Sequence, residues 1–437
     1  MYRRLKRKIT NRFLKDLYGI KCKEIEEVYL ASKKVISSPE SVYNNKRVLW
    51  NETTKVYDVK DIREQKGINS IGFFKENIGL SHSARYFTRI LQHEKIPFTV
   101  NHFELKKDGH TNHEFDRYLD DSLKYNVNVF NFNSNYCMEY YKRFPERFNK
   151  HYNIGYGYWE FEKYPLSFLN QNNVFDEMWV STDFILKSLC QYYAIPVVKI
   201  PLAIDFDVNN LSKYNRKYFG LPEKAFAFIF TFDVGSEIGG RKNSLGVIEA
   251  FKNAFASDDE SVCLIIKTAP RTSEENNPKH KEILDKLYKE AEQKNIIVYN
   301  KTLTDDEMKG LINSCQVYVS LHRCEGLGLG MIEAMKMGKP VIATGYSGNT
   351  EFMKHDNSCL VDYKLIPSTL FSTLVSGHVW ADPDVEQASF YMKRLYENAD
   401  YYKQISIKAK QYVDDNHNYR VAGEVIRHRL KLLGLLD

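Results

Sequence analysis

Short apolar runs alternate with amphipathic stretches along the second half of the chain, and this alternation most constrains the fold. From Phe226 onward the runs FAFIFTF, SVCLIIKT, NIIVYN, QVYVSLH and PVIAT are followed by helix-like segments such as SLGVIEAFKNAF and DDEMKGLINSC. A strand–helix repeat of this kind predicts a doubly wound parallel sheet. Ligands of such sheets bind outside the carboxyl ends of the strands, so the loops after the apolar runs are the expected site.

The first half shows a noisier version of the same pattern. Its strand candidates are INSIGFF, FTVNHFE, NVNVFNF, HYNIGYGYW, EMWVST and PVVKIPL, and a polar, irregular stretch at 202–220 separates them from the second half. A chain of 437 residues is long enough for two domains. The sequence therefore predicts an α/β protein with two Rossmann-like domains that face a central cleft, over 21–205 and 206–437. Residues 385–435 are helix-like, and the last of these helices can cross back to the first domain.

Cysteine usage and hydropathy set the expected compartment. The seven cysteines are scattered and contain no C-x-x-C pair, which favours a reducing compartment without structural disulfides. The sequence contains no apolar run of transmembrane length and no signal-peptide stretch at its start. We therefore expect a cytoplasmic protein.

The net charge is concentrated at the N-terminus. Residues 1–16 carry seven basic side chains against one acidic one, which accounts for the whole formal net charge of +6. The balanced remainder argues against a nucleic-acid-binding surface. Residues 1–20 form a basic amphipathic segment, with an apolar stripe at helical spacing made of Tyr2, Leu5, Ile9, Phe13 and Leu17. Two interpretations stay open: residues 1–18 bind the inner face of an anionic membrane, or the stripe packs on the protein itself or on a second subunit.

The segment from Ser320 to Phe352, SLHRCEGLGLGMIEAMKMGKPVIATGYSGNTEF, carries the chemistry. A strand ends here, a glycine-rich turn follows, and a helix begins, which is the outline of a diphosphate cradle. Glu325 and Glu333 frame the turn, and a carboxylate can accept two hydrogen bonds from a sugar diol. Glycines alone are a weak signal, because such turns often only join a strand tightly to a helix.

The string EGLGLGMIEAMKMGKPVIAT resembles the E-x7-E segment of family 4 retaining glycosyltransferases with the GT-B fold. The resemblance covers most of residues 70–360 and implies that Glu325 contacts the transferred sugar and Glu333 the ribose. The amides of Gly328 and Leu329 would face the donor. The expected donor-binding residues are Glu333, Gly326, Leu327, Gly328, Leu329 and Gly79.

Two further segments extend the resemblance. In FTFDVGSEIGGRKNSLGVIEAF the basic pair Arg241 and Lys242 opens a helix, and the resemblance implies that the pair stabilises the leaving diphosphate, so that with Glu325 it is catalytic. GFFKENIGLSHSARYFTRIL resembles the glycine loop of the N-domain, which implies that Gly79 lies close to the donor phosphates.

The acceptor side is less well defined. NIGYGYWEFEKYP resembles a G-Y-W-x-W-E-L segment found in part of the family, and Gly157 stands where the first tryptophan is usual. Trp159 and Glu160 are the acceptor-side candidates, and packing is the equal alternative for both.

The resemblance implies a metal-independent, retaining hexosyl transfer from a nucleotide-sugar, such as a UDP- or GDP-sugar, to a glycan or lipid-linked acceptor of the cell surface. No cofactor and no metal are expected. Asp205 and Asp207 spell D-x-D, but acids in a polar linker are common and further oxygen ligands are absent from the nearby sequence. A nucleotide-sugar epimerase of the same fold and a non-catalytic binding subunit are the alternatives, although the presence of Lys242, Glu325 and Glu333 favours an active transferase.

Overall fold

The computed structural model describes residues 48–51, 56–59, 62–104, 112–165, 168, 174–269, 278–368, 370 and 377–437. Two six-stranded parallel sheets with accompanying helices form the body of this part of the chain. The fold is therefore α/β with two Rossmann-like halves, as the alternating pattern predicts. The predicted amphipathic segment 1–20 lies outside the described residues.

The first half contains the sheet β4-β3-β5-β6-β7-β8. A two-stranded antiparallel pair, β1 (Val48–Asn51) and β2 (Val56–Val59), precedes it. The sheet strands are β3 (Ile68–Gly72), β4 (Phe98–His102), β5 (Val127–Phe130), β6 (Tyr152–Tyr156), β7 (Glu177–Val180) and β8 (Val197–Lys199). The helices are α1 (Gly79–His93), α2 (Ser134–Arg143) and α3 (Asp183–Cys190). The short α4 (Arg216–Phe219) follows the connection between the halves and contacts the second one, where Arg216 Nε donates to Ser314 O at 2.8 Å.

A ladder of buried asparagines explains why the first half has a noisy strand pattern. Asn69 Nδ2 donates to Asn128 Oδ1 at 2.9 Å, and Asn128 Nδ2 donates to Asn153 Oδ1 at 2.9 Å. These three side chains lie on the adjacent strands β3, β5 and β6 and satisfy one another across the sheet. Buried amides are tolerated when they are hydrogen-bonded. Polar residues therefore interrupt the apolar pattern of β3 and β5, although every residue of these strands is buried.

The second half contains the sheet β11-β10-β9-β12-β13-β14. Its strands are β9 (Phe226–Thr231), β10 (Val262–Thr268), β11 (Ile296–Asn300), β12 (Val317–Ser320), β13 (Val341–Thr344) and β14 (Cys359–Val361). A hairpin, β15 (Tyr363–Pro367) and β16 (Val379–Pro383), follows the sheet. The helices are α5 (Ser244–Ala254), α6 (Pro278–Glu290), α7 (Asp305–Asn313), α8 (Leu329–Lys336), α9 (Val385–Glu397), α10 (Ala399–Asn416) and α11 (Tyr419–Leu432).

Local sequence determines these elements directly. All seven residues of β10 are buried, as expected for a parallel strand covered on both faces. Helix α7 begins with a capping box, in which Thr304 accepts from the Glu307 amide and the Glu307 carboxylate accepts from the Thr304 amide.

The chain passes between the two halves at two adjacent points. Helix α11 crosses back to the first half, where Arg429 Nε donates to the buried Glu177 of β7 at 3.0 Å. The connection that leads out of the first half lies beside this return: Ile204 N donates to His417 O at 2.8 Å. His417 Nδ1 also lies 3.2 Å from the carbonyl oxygen of Leu202. The predicted crossing of the last helix is therefore confirmed, and the two crossings are hydrogen-bonded to each other.

Candidate active site

The glycine-rich turn between β12 and α8 lies at the carboxyl end of the second sheet. Gly328 precedes α8 with φ of 92°, a left-handed conformation that favours glycine. A Cβ on Gly330 would overlap the hydroxyl of Tyr318. Met331 N and Ile332 N donate to Gly328 O at the start of α8. The amides of Leu329 and Gly330 precede these bonds, and such amides at a helix N-terminus suit an anion.

The backbone at the start of this turn is contacted by residues from both halves. Gly348 N donates to Glu325 O at 2.8 Å, and a Cβ on Gly348 would overlap the carbonyl oxygen of Gly326. From the first half, Thr182 Oγ1 donates to Gly326 O at 3.1 Å. Leu327 is buried beside the turn, in the core cluster that includes Met331. The turn is therefore held by contacts with both halves.

Glu325 lies among positive charges. Its carboxylate is ion-paired with Lys242, and Arg241 Nη1 lies 3.7 Å from its Oε2 atom. Burial by itself raises the pKa of this carboxyl, but Lys242 and Arg241 outweigh burial and lower the pKa to about 2. Glu325 is therefore ionised and held by the basic pair that the sequence placed in the same site.

The loop that presents the basic pair depends on a residue that the sequence reasoning missed. The buried Glu237 accepts hydrogen bonds from Lys242 N at 2.8 Å and from Ser244 N at 2.9 Å. It also accepts from Ser244 Oγ at 2.7 Å. Glu237 thus caps α5 in place of Asn243, whose side chain makes no capping bond. An acidic residue shortly before a helix start is the signal that indicates such a role.

Glu333 occupies the other end of the turn in a different environment. It is buried on α8, and Tyr86 of α1 donates to its Oε1 atom at 2.7 Å. Burial raises the pKa of Glu333, while Lys309 and the Tyr86 hydroxyl act in the opposite direction. Lys309 Nζ lies 5.5 Å from the centre of the Tyr86 ring. Glu333, the carboxylate predicted to bind the ribose, therefore accepts a hydrogen bond from a neutral hydroxyl of the first half.

Helix α1 of the first half contacts α7 of the second half across the cleft. Gly79 begins α1, and a Cβ there would meet no atom within 4 Å, so the space beside it is open. Arg85 is fully buried and donates to Asp305 Oδ2 at 2.9 Å, and Asn77 Nδ2 donates to Leu303 O at 2.7 Å. Neither Tyr86 nor Arg85 was predicted, because a tyrosine and an arginine on an amphipathic helix usually serve packing and solubility.

The acceptor-side candidates lie beside the turn from the first half. Trp159 is 6% exposed, packs against Tyr164 and donates from Nε1 to Lys163 O at 2.9 Å. Its backbone carbonyl lies next to Gly326. Glu160 is partly buried, and its charge acts on that of Arg241. The structure thus brings both residues to the glycine-rich turn, with the Trp159 ring used in packing.

Asp205 and Asp207, which the sequence analysis set aside as metal ligands, have structural partners, and so does the buried His322. Asp205 accepts from Lys336 Nζ at 2.7 Å, and Asp207 caps a 3-10 turn by accepting from Asn209 N at 2.9 Å. His322 Nε2 lies 3.1 Å from Asn349 Oδ1, and burial lowers the pKa of His322. Across the described ranges of the chain, His, Cys, Asp and Glu side chains form no group of three that suits a metal ion.

Two further predictions concern the cysteines and the helices. The six cysteines within the described residues are free. None of the described helices is both long and apolar enough to span a bilayer.

Residues 234–412 match the sequence profile of the family "Glycosyl transferases group 1". These residues form a glycosyltransferase domain. They contain the basic pair, the glycine-rich turn and both glutamates of the site described above. No curated protein sequence matches the chain.

Solved structures show that the fold is GT-B. The Anabaena protein HepE in complex with UDP and glucose has a TM-score of 0.57 at 13% identity, over 84% of this chain and 100% of that one. Sucrose-phosphate synthase from Thermosynechococcus elongatus has a TM-score of 0.62 at 12% identity, over 84% of this chain and 99% of that one. A glycosyltransferase from Rickettsia africae has a TM-score of 0.53 at 13% identity, over 85% of this chain and 99% of that one. At such identities the likeness establishes the two-domain architecture and not the substrate.

Proposed function

We propose that this glycosyltransferase transfers a hexosyl group from a UDP- or GDP-sugar to a hydroxyl of a glycan or lipid-linked acceptor, with retention and without a metal. The observation that carries the proposal is the arrangement around the turn before α8. Free helix amides lie between an ion-paired Glu325 on one side and the buried Glu333 on the other. A diphosphate on the amides leaves a sugar at one carboxylate and a ribose at the other. The similarity to HepE bound to UDP and glucose supports this class of donor.

The charges of the site suit departure of a diphosphate. Lys242 pairs with Glu325. A bound donor brings phosphate oxygens that compete for the Lys242 ammonium, while a sugar hydroxyl becomes a partner for Glu325. As the sugar–phosphate bond breaks, negative charge grows on the leaving oxygen, where Lys242, Arg241 and the α8 amides stabilise it.

The acceptor hydroxyl then attacks from the face that the diphosphate leaves, and its proton passes to a leaving phosphate oxygen. This route retains the anomeric configuration and requires no protein nucleophile. A metal is not needed because the basic pair and the helix N-terminus supply the positive potential.

A donor screen tests the proposal. Purified protein is incubated with UDP- and GDP-sugars and a glycan acceptor, and nucleotide release and the anomeric configuration of the product are measured by chromatography and NMR. We expect release of UDP or GDP with an unchanged anomeric configuration. An inverted product contradicts the retaining mechanism, and a C2-epimerised sugar without transfer favours an epimerase.

Membrane association through residues 1–18 stays part of the proposal, as does a cytoplasmic location. The test is binding of the full chain and of a chain lacking residues 1–18 to liposomes that contain anionic lipid at low salt. Salt-sensitive binding that is lost with the segment supports a membrane role. A truncation that mainly lowers the melting temperature indicates a packing role.

A further inference from the structure

Lys267 is a buried cation that the proposed reaction does not use. It is the penultimate residue of β10, it is 6% exposed, and its Nζ atom donates to the carbonyl oxygen of the next residue, Thr268, at 2.7 Å. Across the described ranges no carboxylate lies within ion-pair distance of this ammonium. Lysine carries three N–H donors, and within the described part of the chain Nζ makes the one hydrogen bond to Thr268 O, which leaves donors for a further acceptor.

A buried ammonium without a counter-charge is costly to the fold. Burial lowers the pKa of Lys267 to about 8, and no charged group of the described residues contributes to this shift. Other buried cations of the cleft are paired, as Lys242 is with Glu325 and Arg85 with Asp305. Buried ionisable groups with a perturbed pKa in a cleft are candidates for functional sites, so Lys267 is a candidate ligand-binding residue.

The sheet register places Lys267 at the donor site. Lys267 is paired with Thr231 of β9 and with Tyr299 of β11, and paired residues of neighbouring strands project from the same face. Thr231 Oγ1 lies 2.6 Å from the Tyr318 hydroxyl, which lies directly under Gly330 at the start of α8. Lys267 therefore shares a face with the anion-binding helix, at the carboxyl edge of the sheet.

The direction of the nucleotide across this edge follows from the partners of the two glutamates. Glu325 is bonded through its backbone to the loop after β13, whereas Glu333 neighbours Lys309 of α7, the helix that follows β11. The direction from Glu325 to Glu333 therefore points from the β13 side of the sheet toward its β10–β11 side. A nucleotide whose ribose is at Glu333 extends its base toward the ends of these two strands, where Lys267 lies.

We infer that Lys267 donates a hydrogen bond from Nζ to a carbonyl oxygen of the donor nucleobase and so determines which base is accepted. The inference rests on the proposed nucleotide-sugar reaction. Guanine carries a carbonyl oxygen at C6, where adenine carries an amino group, and uracil carries a carbonyl oxygen at C4. An ammonium can only donate, so it is matched to guanine and uracil and opposed to adenine.

Calorimetric titration with UDP, GDP and ADP tests the inference on the full chain and on Lys267→Met. We expect the substitution to weaken binding of UDP or GDP about tenfold, as for loss of a charged hydrogen bond, and to leave ADP binding unchanged or stronger. The melting temperature should stay equal or rise, because an unpaired buried charge is removed. Lys267→Gln keeps an N–H donor without the charge and should retain part of the preference.

Lys339→Met is the matched control. Burial also lowers the pKa of Lys339, but this residue precedes β13 at the opposite edge of the sheet from the turn, so nucleotide binding should be unchanged. Equal losses for UDP and ADP in Lys267→Met, or unchanged UDP and GDP binding in both Lys267 variants, overturn the role of Lys267 while leaving the proposed function intact. If the unmodified chain binds none of the three nucleotides, the proposed function and the inference fail together.

Discussion

The two ends of the glycine-rich turn carry the same residue type and have different electrostatic surroundings. Glu325 is 8% exposed and Glu333 is 7% exposed. The pKa of Glu325 is lowered to about 2, because Lys242 and Arg241 outweigh burial, whereas burial raises the pKa of Glu333, whose direct partner is the neutral Tyr86. One end is therefore suited to charge development and the other to holding hydroxyl groups. The difference arises from partners that are distant in sequence, and not from the motif itself.

The largest effect is expected from removing the cation at the charged end. Lys242→Met should lower turnover on the order of a hundredfold or more, because a charge that stabilises the leaving diphosphate is lost. The measurement is kcat at saturating donor. Lys252→Met removes an ion-paired lysine on α5 outside the turn and should leave kcat unchanged. Near-normal kcat in folded Lys242→Met protein would remove this lysine from the mechanism.

A smaller effect of a different kind is expected at the other end. Glu333→Gln should weaken nucleotide binding about tenfold, because an amide is a poorer acceptor for ribose hydroxyls than a carboxylate. Turnover at saturating donor should change much less. Titration calorimetry with UDP and GDP, together with kcat, separates the two quantities. A fall in kcat as large as that of Lys242→Met would show that the two ends do not differ in role.

Removing the Tyr86 hydroxyl should have a still smaller effect. Its hydrogen bond lowers the pKa of Glu333, so Tyr86→Phe should raise that pKa further. Protonation of Glu333 then begins at a higher pH, and the KM for the donor should rise a few-fold, most strongly on the acid side. The measurement is KM against pH.

Tyr156→Phe is the control for this prediction, because the Tyr156 hydroxyl donates to Ile200 O inside the first half. The control should not change the pH profile of KM. If the two phenylalanine variants behave alike, Tyr86 has only a packing role.

No effect at all is expected from metal removal. Excess EDTA should leave the transfer rate unchanged, since Arg241, Lys242 and the α8 amides supply the positive potential in the proposal. The rate is compared before and after chelation and after addition of manganese. Loss with EDTA and recovery with manganese would require a metal site that the proposal does not contain.

The sequence was most informative where the site is contiguous. The turn from Glu325 to Glu333 and the helix that follows it could be predicted, because glycine spacing and apolar runs determine local structure. Glu237, Tyr86 and Lys267 could not be assigned, because their roles depend on strand register and on contacts across the cleft. The asparagine ladder made the strands of the first sheet harder to predict for the same reason. Its polar residues are buried because side chains on neighbouring strands satisfy their hydrogen bonds.

The bond between Ile204 and His417 joins the two places where the chain passes between the halves. Both covalent links between the halves therefore lie at one place. Tyr86 with Glu333 and Arg85 with Asp305 join the same halves through side chains, without a chain crossing. The carboxylate proposed for the ribose is thus tied to the first half by a single hydrogen bond to Tyr86, and not by the chain itself.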